Sequence, residues 1–209
     1  MVESVHIILA SASPRRRELL EQIGITAMVQ AVDIDESRNR DEPVIDFVER
    51  LAMDKAQRGF DTVKNVEALP VLGSDTIIEI GGMVLGKPRD REHAKEILTM
   101  LSGHVHQVHT SVAIVTQERK VIETSSTHVH FKILEADEID SYINTGEADD
   151  KAGAYAIQGI AAQFVKNING SYSGVMGLPL YETVKLLKQC DIRPLDLAGH
   201  KRNNNKEKL

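Results

Sequence analysis

The stretch IILASASPRRRELLEQIG, residues 7–24, decides how the rest of the chain is read, because it joins an apolar run, a small-residue turn and a basic helix start. Ile7, Ile8, Leu9 and Ala10 predict a buried strand and Ser11 to Ser13 a turn. Pro14 takes the favoured first position of a helix, with Ser13 as its N-cap. Free backbone N–H groups, the positive end of the helix dipole, two serine hydroxyls and arginine side chains then converge on one point. That point suits a phosphate.

Helical spacing separates the three arginines. Arg16, Leu19, Leu20 and Ile23 recur at i, i+3, i+4 and i+7, so Arg16 lies on the apolar stripe and needs a buried or cleft-bound anion. Arg17 points about 100° away and makes an ordinary solvated pair with Glu21 four residues on, which gives it no function. An isolated run of three arginines is ordinarily a solvated face. The preceding strand and the stripe position of Arg16 argue otherwise here.

Outward from this stretch, 209 residues bury a real core as one domain of one or two lobes, and 42% apolar with 27% charged residues is a soluble globular profile. A net charge of -6 and 4% aromatic residues argue against nucleic-acid binding, which calls for a basic surface and stacking platforms, so any anion site must be local. No stretch approaches the roughly 20 apolar residues that span a bilayer, and the N-terminus lacks a basic leader. A cytoplasmic protein is expected. The single cysteine, Cys190, excludes an internal disulfide and fits a reducing compartment.

Along the chain, residues 27–33 predict a second strand running into an acidic turn, and Pro43 starts a helix to about Arg58 with Phe47, Val48 and Leu51 on its stripe. Lys55 falls in the centre of that stripe, where it either snorkels to the helix end or projects into a cleft. Residues 61–70 read as a loop, 70–80 as a strand with a polar interruption GSDT, and Gly81-Gly82 as a hairpin turn. A helix carrying Ala94, Ile97, Leu98 and Leu101 ends at Gly103. Residues 105–116 and 121–131 form a long antiparallel hairpin, and 137–144 a short helix. Residues 151–180 predict short strands and turns, 181–189 a last helix, and the ending HKRNNNKEKL a disordered tail over 198–209. The expected fold class is α/β with a mixed, twisted sheet and flanking helices, in a single domain over 1–197.

Asp75 is the weightiest carboxylate, since an acid among Val71, Leu72, Ile77 and Ile78 is expensive to bury without a cation, a metal or several N–H donors. A structural partner, such as a nearby N–H or a lysine, and a functional role, as metal ligand or general base, both satisfy it. Glu36 and Asp35 add oxygen ligands for a hard divalent cation, although alone they are an acidic loop. Lys87, between Gly86 and Pro88, presents an ammonium from a constrained turn. Gln158 is a primary amide among apolar neighbours, able to read a base edge or to be satisfied internally. Histidines 104, 106, 109, 128 and 130 match no zinc spacing and read as a polar hairpin face.

The segments LASASPRRRELLEQIGI, VDIDES, LAMDKA, GSDTII, LGKPRD, KAGAYAIQG and GLPLYET, in this order, resemble the Maf family of nucleoside triphosphate pyrophosphatases. The resemblance runs to about Leu187, and the form KAGAYAIQG is similar to the subfamily that hydrolyses dTTP and UTP. It implies a fold shared with the inosine triphosphatases (Maf/Ham1), with two lobes around a deep cleft, a Mg²⁺ or Mn²⁺ requirement and a homodimer. It also implies that Ser11, Ser13, Arg15 and Arg16 bind phosphate and that Glu36, Lys55, Asp75 and Lys87 are the acidic and basic cleft residues. Asp75 and Glu36 would be the metal ligands and Gln158 the base reader. The contrasting expectation is a nucleotide-binding regulator of cell division without turnover.

Overall fold

The computed structural model describes residues 5–63 and 69–197. Its sheet runs β2(Ala27–Val29), β1(Ile7–Leu9), β3(Val71–Ile80), β5(Val105–Val115), β6(Lys120–Phe131), β7(Val165–Asn169), with β4(Met83–Leu85) attached to β3. β1 is parallel to β2 and β3, and the other pairings are antiparallel, so the sheet is mixed as expected. The helices are α1(Pro14–Gln22), α2(Val44–Val63), α3(Arg91–Leu101), α4(Ala136–Ile143), α5(Tyr172–Met176) and α6(Leu180–Gln189), with two 3-10 turns at Ala152–Ala154 and Ile160–Phe164.

β3, β5 and β6 are long enough to pass through two apolar cores. Leu72, Val112 and Ile114 pack with Leu19 and Leu20 of α1 and Leu186 and Leu187 of α6. Further along the same strands, Ile78, Val108 and Val129 pack with Ile97 and Leu98 of α3 and Ile139 and Tyr142 of α4. Residues 72 and 78 lie six apart, so alternation puts both on one face; α2 covers the other, with Phe47, Val48 and Leu51 against Ile77.

One edge of β3 is interrupted. β1 pairs with it at Val71 and Leu72 and β4 pairs from Ile78, while β5 runs along the opposite edge throughout. Residues 73–77 therefore face an opening between the two cores.

The segment 151–180, expected as short strands and turns, also holds the short helix α5, which the Ser171 side chain caps by accepting from Gly174 N–H, and two element boundaries differ from expectation. β2 stops at Val29 rather than residue 33, because its partner β1 ends at Leu9; Gln30 N–H donates to the Leu9 carbonyl at 2.9 Å and the chain then leaves the sheet. α2 continues past Arg58 to Val63, through residues read as loop. A Cβ on Gly59 would lie 2.9 Å from Ala10 and Val71 side chains, so the glycine is there for close approach rather than to end the helix. The predicted disordered tail lies outside the described residues.

Candidate active site

α1 begins as its sequence dictates. The Ser13 side chain accepts from Arg16 N–H at 3.5 Å, and Pro14 follows at the first helical position. Ser11 Oγ accepts from Ser13 N–H at 3.2 Å and from Arg16 Nη1 at 3.1 Å. Arg16 also donates from Nε to the Gly177 carbonyl at 2.8 Å and from Nη2 to Thr76 Oγ1 at 3.4 Å. One guanidinium thus ties α1 to β3 and to the turn between α5 and α6. Burial lowers its pKa from the ordinary arginine value, opposed by the charges of Asp75 and Glu36. Arg17 meets Glu21 at 3.4 Å on the surface.

The central charge cluster depends on how closely α2 and β3 approach. A Cβ on Gly73 would lie 2.4 Å from the Ala52 carbonyl and the Ala56 N–H, so this glycine lets the helix backbone rest on the strand. Asp75, two residues on and therefore on the same face, is brought opposite Lys55. Lys55 Nζ lies 2.6 Å from Asp75 Oδ1 and 2.6 Å from Glu36 Oε1, with the Lys55 and Asp75 side chains each 12% exposed. Of the two fates open to Lys55, the cleft is the observed one. Glu36 arrives on the segment that leaves the sheet after β2, while Asp35 turns away to accept from Ser37 N–H at 2.9 Å.

These groups line a cavity of about 610 Å³ at the gap in the β3 edge. Its cations are Arg15, Arg16, Lys55, Lys87 and Lys151 and its carboxylates Glu36, Asp75 and Asp150, so a chain of net charge -6 carries a locally positive pocket. Apolar wall comes from Leu51, Ile78, Leu85, Tyr155 and Ile157 among others. Gly153 N–H donates to the Gly86 carbonyl at 3.0 Å, which holds the Asp150–Lys151 ion pair beside Lys87. Such a pocket can neutralise a polyanion at one end and enclose a flat apolar group at the other.

Ser13, Arg15, Arg16, Glu36, Lys55, Asp75 and Lys87 are therefore brought together, although 74 positions separate the first from the last. Ser11 stands behind Arg16. Gln158 is exposed, next to the cavity-lining Ile157 but not itself in the lining, so its surroundings are less apolar than its sequence neighbours suggest. Thr76, Asp150, Lys151 and Gly177 also line the cavity. The sequence marks them only by adjacency: Lys151 opens KAGAYAIQG, Thr76 follows Asp75 and Gly177 opens GLPLYET.

The histidines scatter. His106 Nε2 lies 2.8 Å from Tyr155 Oη in a buried aromatic cluster, and burial lowers its pKa to about 4. His109 sits between Ser126 Oγ at 2.8 Å and Glu79 Oε2 at 3.2 Å. Among the described residues no three His, Cys, Asp or Glu side chains converge on a metal position.

A family model described as Maf-like protein matches residues 6–190. The dTTP/UTP pyrophosphatase of Colwellia psychrerythraea is 52% identical over 186 residues, covering 88% of each chain. That of Alkalilimnicola ehrlichii is 49% identical over 190 residues, covering 90% of this chain and 94% of the relative, and that of Aliivibrio fischeri is 49% identical over 185 residues, covering 88% and 97%. Among solved structures the Staphylococcus aureus Ham1 protein aligns with 60% of this chain and 71% of its own, at 11% identity and a TM-score of 0.41, too loose a likeness to bear on the site. With the family match spanning nearly all of the described residues and half of the positions identical to such relatives, the chain belongs to the Maf family.

Proposed function

We propose that this protein is a nucleoside triphosphate pyrophosphatase acting on dTTP and UTP, which it hydrolyses between the α and β phosphates to the monophosphate and pyrophosphate. The names of its relatives support the substrate class. The observation that carries the chemistry is the Lys55 ammonium held at 2.6 Å from both Asp75 and Glu36, in a cavity with four further cations.

Arg15, Arg16, Lys87 and Lys151 bind and orient the triphosphate, with Ser13 and the α1 N-terminus receiving a phosphate oxygen. Water attacks the α phosphorus, its proton passes to the Asp75 carboxylate, and the bond to the bridging oxygen of the β phosphate breaks. Pyrophosphate leaves with that electron pair, its charge met by Arg15, Lys87 and Lys151. Lys55 keeps the Asp75 and Glu36 carboxylates aimed into the cavity. Those two carboxylates also fit a divalent cation. One oxygen of each is taken by Lys55 Nζ, and the remaining oxygens give an oxygen-only donor set that suits Mg²⁺ or Mn²⁺. Held by Asp75 and Glu36, such a cation would supply neutralisation of phosphate charge and polarisation of a phosphoryl oxygen. The Gln158 amide complements the O4 acceptor and N3–H donor of thymine and uracil. A cytoplasmic homodimer belongs to the same reading, supported by the family resemblance and the lone cysteine; sedimentation velocity checks the dimer.

Replacing Asp75 by Asn keeps its shape and removes the base. Pyrophosphate release from dTTP is expected to fall by about 10²–10⁴ with the fold intact, and wild-type turnover in this variant refutes the role. The purified protein should hydrolyse dTTP and UTP well above dATP and dGTP. Absence of turnover on all four, with nucleotide still bound, replaces this reading with the non-catalytic regulator.

A further inference from the structure

Glu147 lies on the loop that follows α4, half-buried, and takes no part in the cavity. Its carboxylate accepts from three donors: Tyr142 O–H at 3.0 Å and Ala161 N–H at 3.2 Å on Oε1, and Ile160 N–H at 2.8 Å on Oε2. Burial and this bond together raise the Tyr142 pKa from the ordinary phenol value. The carboxylate is also pressed onto Gly159, where a Cβ would fall 2.1 Å from Oε2 and 2.3 Å from the carboxyl carbon. A charged acceptor shared by two successive backbone N–H groups is a strong, directional restraint. It fixes the turn over residues 159–161, and that turn begins one residue after Gln158.

The side chain of Gln158 is exposed, and an exposed amide on a loop has no orientation of its own. Discrimination between bases by hydrogen bonding requires a defined orientation before the base arrives, because an amide rotated by half a turn exchanges donor for acceptor. We propose that Glu147 is a positioning residue for base selectivity: it never touches the nucleotide and acts by holding the backbone that aims Gln158. This rests on the reading of Gln158 as the base-reading residue. Gly159 belongs to the same device, since only hydrogen fits between its Cα and the carboxylate.

The test is the ratio of kcat/KM for dTTP over dGTP in Gln158→Ala, Glu147→Gln, Glu147→Asp, Gly159→Ala and the double variant Gln158→Ala/Glu147→Gln, with the melting temperature of each. Gln158→Ala is expected to lower the ratio by about tenfold. Glu147→Gln and Gly159→Ala, which disturb one contact from its two sides, are expected to lower it by about fivefold, through KM for dTTP rather than kcat. Glu147→Asp should recover part of the loss. The double variant should be no less selective than Gln158→Ala alone, the non-additivity of two residues acting through one group. If Gln158→Ala loses selectivity while folded Glu147→Gln and Gly159→Ala both keep the wild-type ratio, Glu147 is merely structural and the inference is overturned. If Gln158→Ala itself keeps the ratio, the base-reading assignment fails and takes this inference with it. A general fall in kcat for both nucleotides at an unchanged ratio also overturns it. Should Glu147→Gln fail to fold, Gly159→Ala decides the same question.

Discussion

Three neighbouring arginines have three different fates, set by the 100° step of the helix and by what each direction meets. Arg16 lines the cavity while tied to Ser11, Thr76 and Gly177, Arg15 lines it beside them, and Arg17 is solvated beside Glu21. Arg16→Ala removes the three hydrogen bonds that tie α1 to β3 and to the turn after α5, while Ser11, Thr76 and Gly177 each keep a second donor in Ser13 N–H, Thr110 and Ser74, and chemical denaturation should show a loss of about 2–3 kcal/mol. Arg15→Ala should leave stability within about 0.5 kcal/mol and raise KM for nucleotide. Arg17→Ala should change neither, and damage comparable to that of Arg16→Ala would contradict the helical placement. His106 carries a pH dependence with a defined sign. Its folded pKa, about 4, lies below the ordinary value of 6.5, so the unfolded chain takes up the proton first. The stabilisation is complete above pH 6.5 and is lost as pH falls towards 4, by about 3 kcal/mol in all. Between pH 7 and 4 the wild type should lose about 3 kcal/mol more stability than His106→Phe, which has no proton to take up there, as read from denaturation curves of both.

At the scale of elements, the site is made by two backbones in contact. Gly73 lets α2 lie on β3, and the Lys55–Asp75 ion pair follows from that approach because both side chains leave their elements within one turn or two residues of it. In Gly73→Ala the added methyl meets the Ala52 carbonyl and the Ala56 N–H, neither of which yields as a side-chain end would. The expected result is a loss of about 1–3 kcal/mol from overpacking, with a fall in kcat beyond what lost folding explains, since Lys55 is pushed off its carboxylates. Single-turnover rates on the folded fraction separate the two effects. The element was legible as a strand with a polar interruption, and the glycine was not legible as a contact, since a missing side chain shows its use only beside its neighbour. The same blindness cut α2 short at Gly59, a residue that in sequence looks like a terminator and in space is a packing surface.

For the whole molecule, the decisive feature is the break along one edge of β3, where β1 stops and β4 has not begun. A strand paired on both edges presents side chains to two faces separated by the sheet. At the gap, Asp75 from one face and Thr76 from the other reach the same cavity. Ile78, Leu85, Tyr155 and Ile157 of the α3–α4 core and Phe47, Leu51 and Ile77 of the α2 cluster form its apolar wall, and Ser13, Arg15 and Arg16 come from the start of α1, the helix that packs in the other core. A nucleotide bound there links both cores. At a hundredfold excess over its Kd, a non-hydrolysable dTTP analogue with Mg²⁺ should stabilise the protein by about 2.7 kcal/mol. Hydrogen exchange should slow in peptides of α1 and α2 and equally in those of α3 and the 150–157 segment. Protection confined to one core is the outcome that counts against a bridging ligand.

The sequence alone determined the elements with strong local signals: the βα entry with its Ser13 cap, the long hairpin, the mixed α/β class, and a set of charged residues too costly to bury without partners. Periodicity and capping are local, so they survive in one dimension. The partners are not local. That Lys55 answers Asp75 and Glu36, that Arg16 is fixed by a carbonyl 161 residues away, and that Lys151 joins Lys87 on one lip were decided by the tertiary structure. A buried charge announces that it needs a counter-ion, whereas only chain packing says which one it gets.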